Sequence, residues 1–364
     1  MRVKIEDVCD KATSNLKQSD VMNKKGLFPV FGAAGYLGKI DTFHQSKPYV
    51  AIVKDGAGIG RTMLLPAKSS VIGTMQYLLP KDNILPAYLY YVIKARHLEK
   101  YFSGATIPHI YFKDYKNEQF DLVNFEKQKQ IVHKLKVIEK IMTNLNDELK
   151  LFDELIKARF VEMFGDPILN EKGWKTKSLL DMGNCKNGMN FHYDDKGVKI
   201  SCLGVGDFKD LSVIDNTKEL NIVSLNKMPS EEYLLKDGDI VFVRSNGNKD
   251  LVGRCLAVYP GNIPTTFSGF CIRYRKDDNE LTVPYILRAL KMESMRRKMV
   301  GRGANIQNLN QQILGMLVIP IPPIELQEQF ADFVRQVDKS KFEVQKSLEK
   351  TQQLYDSLMQ KYFG

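Results

Sequence analysis

The sequence predicts a mixed α/β protein in which two globular domains alternate with two long helices. Three observations indicate this class. Residues 125–163 and 324–362 contain no Pro or Gly and repeat apolar side chains every three or four positions. The two stretches align without a gap after a shift of 199 residues. The segments before them alternate short apolar runs with glycine-containing turns, a pattern typical of strands.

The first globular domain is predicted at residues 1–124. Its apolar runs are short and are bounded by turn residues, and its main helix opens on a proline, which a first helical turn tolerates. We expect strands at 28–41 (broken by glycine turns), 49–53 and 71–79, a helix at 86–102, and a loop with an aromatic and basic rim at 104–115.

Residues 125–163 are predicted to form one continuous helix, about 58 Å long at about 1.5 Å per residue. Apolar side chains in steps of four and three form the seam of a coiled coil. A helix of this length is stabilised mainly by packing, so the seam requires a partner. The seam positions are Ile131, Leu135, Ile138, Met142, Leu145, Leu149, Phe152 and Ile156.

The second globular domain is predicted at residues 164–323. Phe164-Gly-Asp-Pro ends the first long helix, because Gly and Pro do not continue it. A polar loop at 301–312 and a proline-rich segment then lead into the second long helix. We expect strands at 198–203, 240–244, 253–259 and 270–274, and a helix at 283–298.

The second long helix, at 324–364, repeats the first. Both begin with Glu-x-Gln-x-Gln, at Glu126–Gln130 and at Glu325–Gln329, and both end in Phe-Gly. Matching ends in a gapless register indicate a duplicated unit of domain plus helix. Of the eight corresponding seam positions, two are polar (Lys341 and Thr351) and six are apolar or aromatic: Phe330, Val334, Val337, Val344, Leu348 and Tyr355.

Chain connectivity predicts the directions of the two helices. Only ten residues separate Met163 from Trp174, and they span at most about 35 Å. The second domain therefore begins near the C-terminal end of the first helix. If each domain lies at the start of its own helix, the helices pack as an antiparallel coiled coil with pseudo-two-fold symmetry.

Composition favours a polyanionic partner. The net charge is +10 with a pI of about 9.1, and 43% of residues are hydrophobic, as in globular proteins. Five widely spaced cysteines form no CxxC pair, which indicates reduced thiols. No apolar run approaches the length of a membrane span. We expect a cytoplasmic protein with no membrane partner.

The sequence offers no convincing catalytic or metal-binding motif. Gly32–Lys39 fails the spacing of a phosphate-binding P-loop, and Gly56–Gly60 lacks the strand and helix of a dinucleotide fold. Tight turns explain both glycine clusters better. The five histidines have no ligand spacing, and no nucleophile stands beside a base and an orienting acid. We expect no bound cofactor and no catalysis by this chain alone.

Two basic domains on a rigid spacer favour recognition of two DNA sites at a fixed distance. A rod of about 58 Å corresponds to at most about 17 base pairs at about 3.4 Å per pair. Half-sites about one helical turn apart are plausible. Because the two domains differ in sequence, we expect an asymmetric target.

Candidate DNA contacts are chosen by side-chain chemistry. Arg and Lys can bind guanine, whereas Asn and Gln can bind adenine. The alternative for each residue is a solvated loop position or a phosphate contact without specificity. The candidates are Lys54, Arg61, Thr62, His109, Tyr111 and Lys113 in the first domain, and Arg244, Ser245, Asn246, Asn248, Lys249, Arg302, Asn305, Gln307, Asn308, Asn310 and Gln311 in the second.

Two variable domains, each followed by a long helix, together with Phe164-Gly-Asp-Pro and the two Glu-x-Gln-x-Gln motifs, resemble the specificity subunit of type I restriction-modification systems. The resemblance covers the whole chain. It implies two target recognition domains and helices that set the half-site spacing. It also implies double-stranded DNA, two methyltransferase subunits and motor-nuclease subunits as partners. S-adenosylmethionine would be bound by the methyltransferase, and ATP and Mg by the motor-nuclease.

Three other interpretations remain open from the sequence. The chain could serve a related system that only methylates DNA or that uses other catalytic partners. It could be an enzyme that acts on DNA itself, or a coiled-coil adaptor without DNA readout. The first domain is shorter than the second, which makes its base contacts harder to assign.

Overall fold

The computed structural model describes residues 1–22, 24–56, 58–103, 108–191, 197–208, 212–300 and 308–364. It has a mixed α/β architecture, which confirms the predicted fold class. The helices are α1 (Ile5–Val8), α2 (Pro86–Lys94), α3 (Phe112–Tyr115), α4 (Phe125–Phe164), α5 (Val283–Lys291), α6 (Glu293–Val300), α7 (Gln311–Gly315) and α8 (Ile324–Phe363).

The described strands are short, each with two to six residues. The first nine are β1 (Arg2–Lys4), β2 (Cys9–Thr13), β3 (Phe28–Gly32), β4 (Gly35–Ile40), β5 (Tyr49–Val53), β6 (Thr62–Leu65), β7 (Ser70–Val71), β8 (Met75–Pro80) and β9 (Gln119–Asp121). The others are β10 (Lys175–Ser178), β11 (Gly183–Asn187), β12 (Val198–Leu203), β13 (Val213–Ile214), β14 (Ile222–Leu225), β15 (Asp239–Val243), β16 (Cys255–Val258), β17 (Thr265–Phe267), β18 (Cys271–Lys276) and β19 (Val318–Ile321).

The chain divides into two compact units, and each unit contains part of both long helices. Unit 1 comprises Met1–Glu148 and Val344–Gly364, and unit 2 comprises Leu149–Glu343. The helices α4 and α8 are each 40 residues long, so the prediction of two long helices is confirmed. The domain boundaries given above remain a prediction.

Unit 1 contains two main sheets. The four-stranded sheet has the order β2-β8-β5-β6, and the three-stranded sheet has the order β4-β3-β7. The central strand β5 is buried along its whole length, because all its side chains are apolar or aromatic. A separate pair, β1 with β9, joins the start of the chain to the segment that leads into α4.

Unit 2 repeats this plan with one additional strand. Its five-stranded sheet has the order β11-β18-β15-β16-β13, and its three-stranded sheet has the order β14-β12-β17. The buried central strand β15 corresponds to β5. The pair β10 with β19 joins the start of the unit to the segment before α8, as β1 with β9 does in unit 1.

Three predicted elements are wrong in extent, each because the backbone leaves the regular conformation. The strand predicted at 71–79 is two strands, β7 and β8, because Met75 N–H donates to Ile72 O and closes a turn. The helix predicted at 86–102 ends at Lys94, and His97 beyond it has a left-handed φ of 50°. The helix predicted at 283–298 breaks at Met292, which is extended.

Each unit has a core built from its sheet, a short helix and part of both long helices. In unit 1, Tyr88 and Tyr91 of α2 contact Phe363 of α8 at ring-centroid distances of 5.3 and 6.5 Å. In unit 2, Phe160 of α4 lies 5.5 Å from Phe330 of α8. Aromatic pairs of this kind stabilise a core beyond the area they bury.

Within unit 2 the two long helices run antiparallel. The ring of Phe164 in α4 lies 5.6 Å from that of Phe330 in α8. Arg159, which is more than one turn earlier in α4, lies over the ring of Phe333, which is later in α8. Lys341 Nζ lies 2.7 Å from Asp153 Oδ1. The contacts therefore move backward along α4 as they move forward along α8.

A buried glutamine near the start of each long helix joins that helix to its unit. Gln128 Oε1 accepts from Leu85 N–H at 2.8 Å, and Gln128 Nε2 donates to Asn83 O at 3.1 Å and Val123 O at 2.9 Å. The side chain is fully buried. Since a buried amide is stable only when its polar atoms are bonded, this glutamine fixes α4 against the segment before α2.

Gln327 makes the same three contacts in unit 2. Its Oε1 accepts from Thr282 N–H at 2.8 Å, and its Nε2 donates to Glu280 O and Pro322 O at 2.9 Å each. The first glutamine of each Glu-x-Gln-x-Gln motif is therefore a structural clamp, and the repeat found in the sequence is matched by the same contacts in both units.

Candidate nucleic-acid interface

In unit 1, most of the predicted DNA-contacting residues gather where β5 ends. Lys54 follows β5, and the hairpin to β6 closes through Val53 N–H to Arg61 O and Gly60 N–H to Val53 O, both at 2.9 Å. Gly60 has a φ of 81°, a left-handed conformation that favours glycine. The hairpin thus places Arg61 beside the strand end.

The segment 108–113 packs against the same strand end. Ile110 N–H donates to Lys54 O at 2.9 Å. The ring of Tyr111 stacks on His109 at 6.3 Å, and Lys113 Nζ lies 5.2 Å from the Tyr111 ring centroid. We call Lys54, Arg61, His109, Tyr111 and Lys113 strand-end surface 1.

One carboxylate organises the charges of strand-end surface 1. Asp55 Oδ1 lies 2.7 Å from His109 Nδ1, and its other oxygen accepts from Lys54 Nζ. Burial raises the pKa of Asp55, but the hydrogen bonds from Lys54 and His109 outweigh burial, and the net pKa lies below its ordinary value. Asp55 is therefore ionised at neutral pH and holds both basic side chains in place.

Arg61 and Thr62 contact other turns of unit 1. Arg61 is exposed, and its Nη1 donates to Ala33 O at 2.8 Å, which joins the β5–β6 hairpin to the β3–β4 turn. Thr62 is half-buried, and its hydroxyl donates to Gly60 O at 3.1 Å. Thr62 thus closes the hairpin and is less accessible than its neighbours.

In unit 2, Arg244 and Ser245 occupy the equivalent strand end after β15. Arg244 N–H donates to Phe270 O at 2.7 Å, and Arg244 Nη1 donates to Gly269 O at 3.2 Å. Ser245 forms a β-bridge with Asn308, and Leu309 N–H donates to Arg244 O at 2.8 Å. We call Arg244, Ser245 and Asn308 strand-end surface 2.

Three predicted asparagines have local structural contacts. Asn246 Oδ1 accepts from Asn248 N–H at 2.8 Å, and Asn248 Oδ1 accepts from Asp250 N–H at 3.0 Å. Asn310 Oδ1 accepts from Ile313 N–H at 2.8 Å and caps α7. These carboxamide oxygens hold turns, a use that favours Asn at such positions whether or not DNA is bound.

The other candidates in unit 2 are placed as follows. Lys249 begins a 3-10 turn and is exposed, and Gln311 is the half-buried first residue of α7. Arg302, Asn305 and Gln307 lie outside the described residues.

The two strand-end surfaces have the same backbone register and different side chains. The bond from Ile110 N–H to Lys54 O in unit 1 corresponds to the bond from Leu309 N–H to Arg244 O in unit 2. A basic residue directly follows the central strand in both. Beside it, unit 1 has the Asp55–His109 pair, where unit 2 has Ser245 bridged to Asn308.

Two exposed aromatic residues near these surfaces, Phe270 and Tyr36, were not among the residues predicted from the sequence. Phe270 is 61% exposed, and its carbonyl accepts from Arg244 N–H. Tyr36 is also 61% exposed and lies in β4, next to the turn that Arg61 contacts. Both belong to short strand-and-turn segments in which an aromatic residue usually indicates a core position, so no sequence signal separates them from buried neighbours.

The predicted helix seam lies on the protected side of both long helices. Every seam side chain is buried or half-buried. The most buried positions are Leu135 in unit 1 and Phe330 in unit 2, each with no exposed surface. Leu135 belongs to the core of unit 1 and Phe330 to the core of unit 2, whereas four seam positions belong to neither core: Leu145, Leu149, Val344 and Leu348.

Outside the two surfaces, the described residues show buried thiols but neither a metal-binding group nor a membrane-spanning helix. Burial raises the pKa of the Cys9 and Cys202 thiols to about 12. Within the described ranges, no group of three or more His, Cys, Asp and Glu side chains is arranged to hold a metal ion. None of the described helices has the length and hydrophobicity that a membrane span requires.

Residues 1–151 and 171–354 match a family model described as a type I restriction modification DNA specificity domain. The StySPI specificity subunit of Salmonella potsdam is 26% identical over 332 residues, which cover 82% of this chain and 69% of that protein. The putative MjaX specificity subunit of Methanocaldococcus jannaschii is 25% identical over 195 residues, which cover 52% of this chain and 45% of that protein.

Two solved structures share the fold. The S subunit of the type I restriction-modification system from M. genitalium aligns with a TM-score of 0.60 at 19% identity, covering 100% of this chain and 96% of that chain. A chain from a structural study of complex assembly and conformational transition in the type I R-M system aligns with a TM-score of 0.58 at 15% identity, covering 100% and 97%.

Proposed function

The chain belongs to the type I restriction-modification DNA specificity family, and from this premise we propose that it reads a split, asymmetric DNA target for catalytic partner subunits. Each unit reads one half-site through its strand-end surface. The partners are two adenine methyltransferase subunits and motor-nuclease subunits, which bind S-adenosylmethionine, ATP and Mg. This chain supplies the sequence recognition, and its partners supply the chemistry.

The observation that carries this proposal is the paired register of the two surfaces. In each unit a basic residue, Lys54 or Arg244, follows the central strand, and its carbonyl accepts from the segment that leads to a long helix. Equivalent backbones with different neighbouring side chains, His109 in unit 1 and Asn308 in unit 2, suit two half-sites of different sequence.

Strand-end surface 2 has the chemistry to bind guanine. A guanidinium has five N–H donors, and one nitrogen of Arg244 is held by Gly269 O at 3.2 Å. That bond orients the side chain, and the remaining donors can bind the guanine O6 and N7 atoms as a pair. The exposed ring of Phe270 lies beside it and can contact a thymine methyl group or a sugar.

Strand-end surface 1 suits a mixed contact to phosphate and base. Lys113 lies over the Tyr111 ring, which keeps the ammonium group at the surface, where it can bind phosphate. His109 Nδ1 bonds to the Asp55 carboxylate, which leaves Nε2 of the imidazole as the atom for a base contact.

The test is co-expression of this chain with its adenine methyltransferase partner, followed by mapping of methylated adenines in the host DNA. We expect a split motif with a fixed gap that is absent without this chain. The variant Arg244→Ala is expected to relax only one half of that motif. Its control, Arg297→Ala, removes an exposed arginine of α6 that pairs with Glu293 and lies outside strand-end surface 2.

Two results would contradict the proposal. A complex that assembles but methylates no new motif would remove the role in target recognition and favour an adaptor. A short, continuous, palindromic motif would preserve DNA recognition but remove the assignment of one half-site to each unit. Restriction of unmodified phage by the same cells distinguishes a complete restriction system from one that only methylates.

A further inference from the structure

The outer edge of β6 in unit 1 has no strand partner among the described residues. The sheet order is β2-β8-β5-β6, so β6 is paired with β5 on one side only. An edge strand presents a row of unpaired N–H and C=O groups, which is a template for another strand.

The hairpin register identifies which backbone groups face this edge. Val53 N–H donates to Arg61 O, which makes this a hydrogen-bonded position, and in an antiparallel ladder such positions alternate with positions that have no hydrogen bond. Met63 and Leu65 therefore exchange hydrogen bonds with β5. The N–H and C=O groups of Leu64 point to the open side.

A slot runs along this edge. Two clefts, of about 460 and 470 Å³, meet at Leu64 and Leu65. One wall is the β3–β4 hairpin with Tyr36, and the other is α2 with Pro86 and Tyr90. The slot is lined mainly by apolar and aromatic side chains, with Lys136 and Glu139 of α4 as the charged residues of the second cleft. The part along β6 therefore favours an apolar occupant.

Unit 2 shows what fills the same edge in the other copy of the repeat. The hairpin between β15 and β16 closes through the same bonds, Gly253 N–H to Val243 O and Val243 N–H to Arg254 O. This makes Ala257 the equivalent of Leu64. Ala257 N–H donates to Ser212 O at 3.0 Å, as the parallel strand β13 covers the edge of β16.

The burial of the two edge strands agrees with this difference. All four side chains of β16 are buried, whereas three of the four side chains of β6 are half-buried. Between β11 and β15, unit 2 has the three strands β12, β13 and β14, but between β2 and β5, unit 1 has only β3 and β4. The described part of unit 1 thus contains no segment that corresponds to β13.

We propose that the β6 edge is a docking slot for an extended segment of another protein, which adds to it as a short parallel strand. By analogy with Val213-Ile214 of β13, the segment carries two adjacent β-branched apolar residues. Its backbone bonds to the N–H and C=O groups of Leu64. The side chain equivalent to Ile214, which is 7% exposed in unit 2, enters the slot, whereas the one equivalent to Val213, which is 38% exposed, points to the opposite face. This is strand addition, in which the main chain gives affinity and the side-chain pockets give specificity.

One sequence difference limits the length of the added strand. In unit 2, Tyr259 N–H donates to Ile214 O at 2.8 Å, and the equivalent position in unit 1 is Pro66. Proline has no N–H, so the ladder cannot continue past Leu65. The occupant is therefore short, and most of its binding energy comes from apolar contact with the slot walls.

The test uses the full chain labelled with ¹⁵N-leucine and a capped peptide with the sequence of Ser212–Thr217 as the probe. Leu64 and Leu65 are a matched pair, because the first amide faces the open edge and the second faces β5. At about 5 mM peptide, which suits a weak complex, we expect a shift of the Leu64 signal. We also expect its exchange with solvent to slow by about tenfold while Leu65 changes little.

Controls separate slot binding from nonspecific effects. A peptide with Asp in place of both β-branched residues is expected to leave Leu64 unchanged. Tyr36→Ala shortens an exposed side chain on the slot wall and is expected to weaken peptide binding severalfold without lowering the urea midpoint. Leu64→Pro removes the N–H donor but can disturb β6, so Tyr36→Ala is the main variant.

Three results would overturn the proposal. The first is a Leu64 amide that exchanges as slowly as Leu65 in the free chain, because the edge would already be covered. The second is an unchanged Leu64 signal at saturating peptide. The third is protection of Leu64 that grows with protein concentration in the absence of peptide, because the occupant would then be a second copy of this chain.

Discussion

Replacing Gln327 by Ala is expected to destabilise unit 2, because it removes all three hydrogen bonds of a fully buried carboxamide. The bonds connect Gln327 to Thr282 N–H, Glu280 O and Pro322 O at 2.8–2.9 Å. Alanine has no polar side-chain atom, so these three backbone groups lose their partner in a site from which water is excluded.

The magnitude follows from the number of bonds. Each contributes about 1 kcal/mol to stability, so the variant is expected to lose about 3 kcal/mol. With a urea dependence of about 3 kcal/mol per molar for a unit of this size, the unfolding midpoint is expected to fall by about 1 M.

The single tryptophan of the chain provides the assay. Trp174 lies in unit 2, is half-buried, and donates through Nε1 to Phe164 O at 3.3 Å. Its fluorescence therefore reports the unfolding of unit 2 in a urea titration. The matched control is Gln329→Ala, which changes the exposed last residue of the same motif. Equal midpoints for the two variants would refute the assignment of Gln327 as a clamp.

Three further predictions can be tested by urea unfolding or by labelling of a cysteine thiol. Asp55 has a lowered folded-state pKa, so it stabilises unit 1 above about pH 4 and loses this effect as the pH falls further. Asp55→Asn should narrow the difference in the free energy of unfolding between pH 7 and pH 3, followed by far-UV circular dichroism because Trp174 lies in unit 2, and an unchanged difference would contradict this. Arg275→Ala leaves the buried Asp239 carboxylate without its ion-pair partner, and we expect the free energy of unfolding of unit 2, followed by Trp174 fluorescence, to fall by about 3 kcal/mol. An unchanged free energy of unfolding would show that this ion pair does not stabilise unit 2. Cys9, whose pKa is raised to about 12, should not react with Ellman's reagent at pH 8 until urea unfolds unit 1, and rapid labelling of the folded chain would show that the thiol is accessible.

Periodic, strongly apolar elements could be predicted from the sequence, whereas elements defined by tertiary contacts could not. The long helices and the strand at 49–53 have clear apolar periods or runs, and the structure has them within one residue of the prediction. The polar strands β1 and β10 have no such pattern. They exist because each pairs with the strand that leads into a long helix.

The helix breaks show a second limit of sequence interpretation. Residues 95–102 and 292–298 carry residues that favour helices, so the pattern predicted uninterrupted helices there. In the folded protein, His97 takes a left-handed conformation and Leu98 turns into the core of unit 1. Burial of an apolar side chain thus outweighed local helix propensity.

For the candidate interface, side-chain chemistry and repeat alignment indicated equivalent segments of the two units but not the contacts of individual side chains. They indicated the strand ends at Lys54 and Arg244, which the structure shows in equivalent backbone settings. They did not indicate the Asp55–His109 contact, which joins residues 54 positions apart. Asn310 was selected as a possible base contact, whereas in the structure it caps α7. Asn is a common residue at the start of a helix, so the sequence did contain a signal for this cap.

The division of each long helix between two units has a consequence for synthesis on the ribosome. Phe363 and Tyr355 belong to the core of unit 1, yet the whole of unit 2 is translated between residue 148 and these side chains. At about 5–20 residues per second, unit 1 waits about 10–40 s for the last part of its core. During that time the aromatic surface of α2 is without its partner Phe363, so the nascent chain is expected to depend on chaperones more than a chain with two sequential domains.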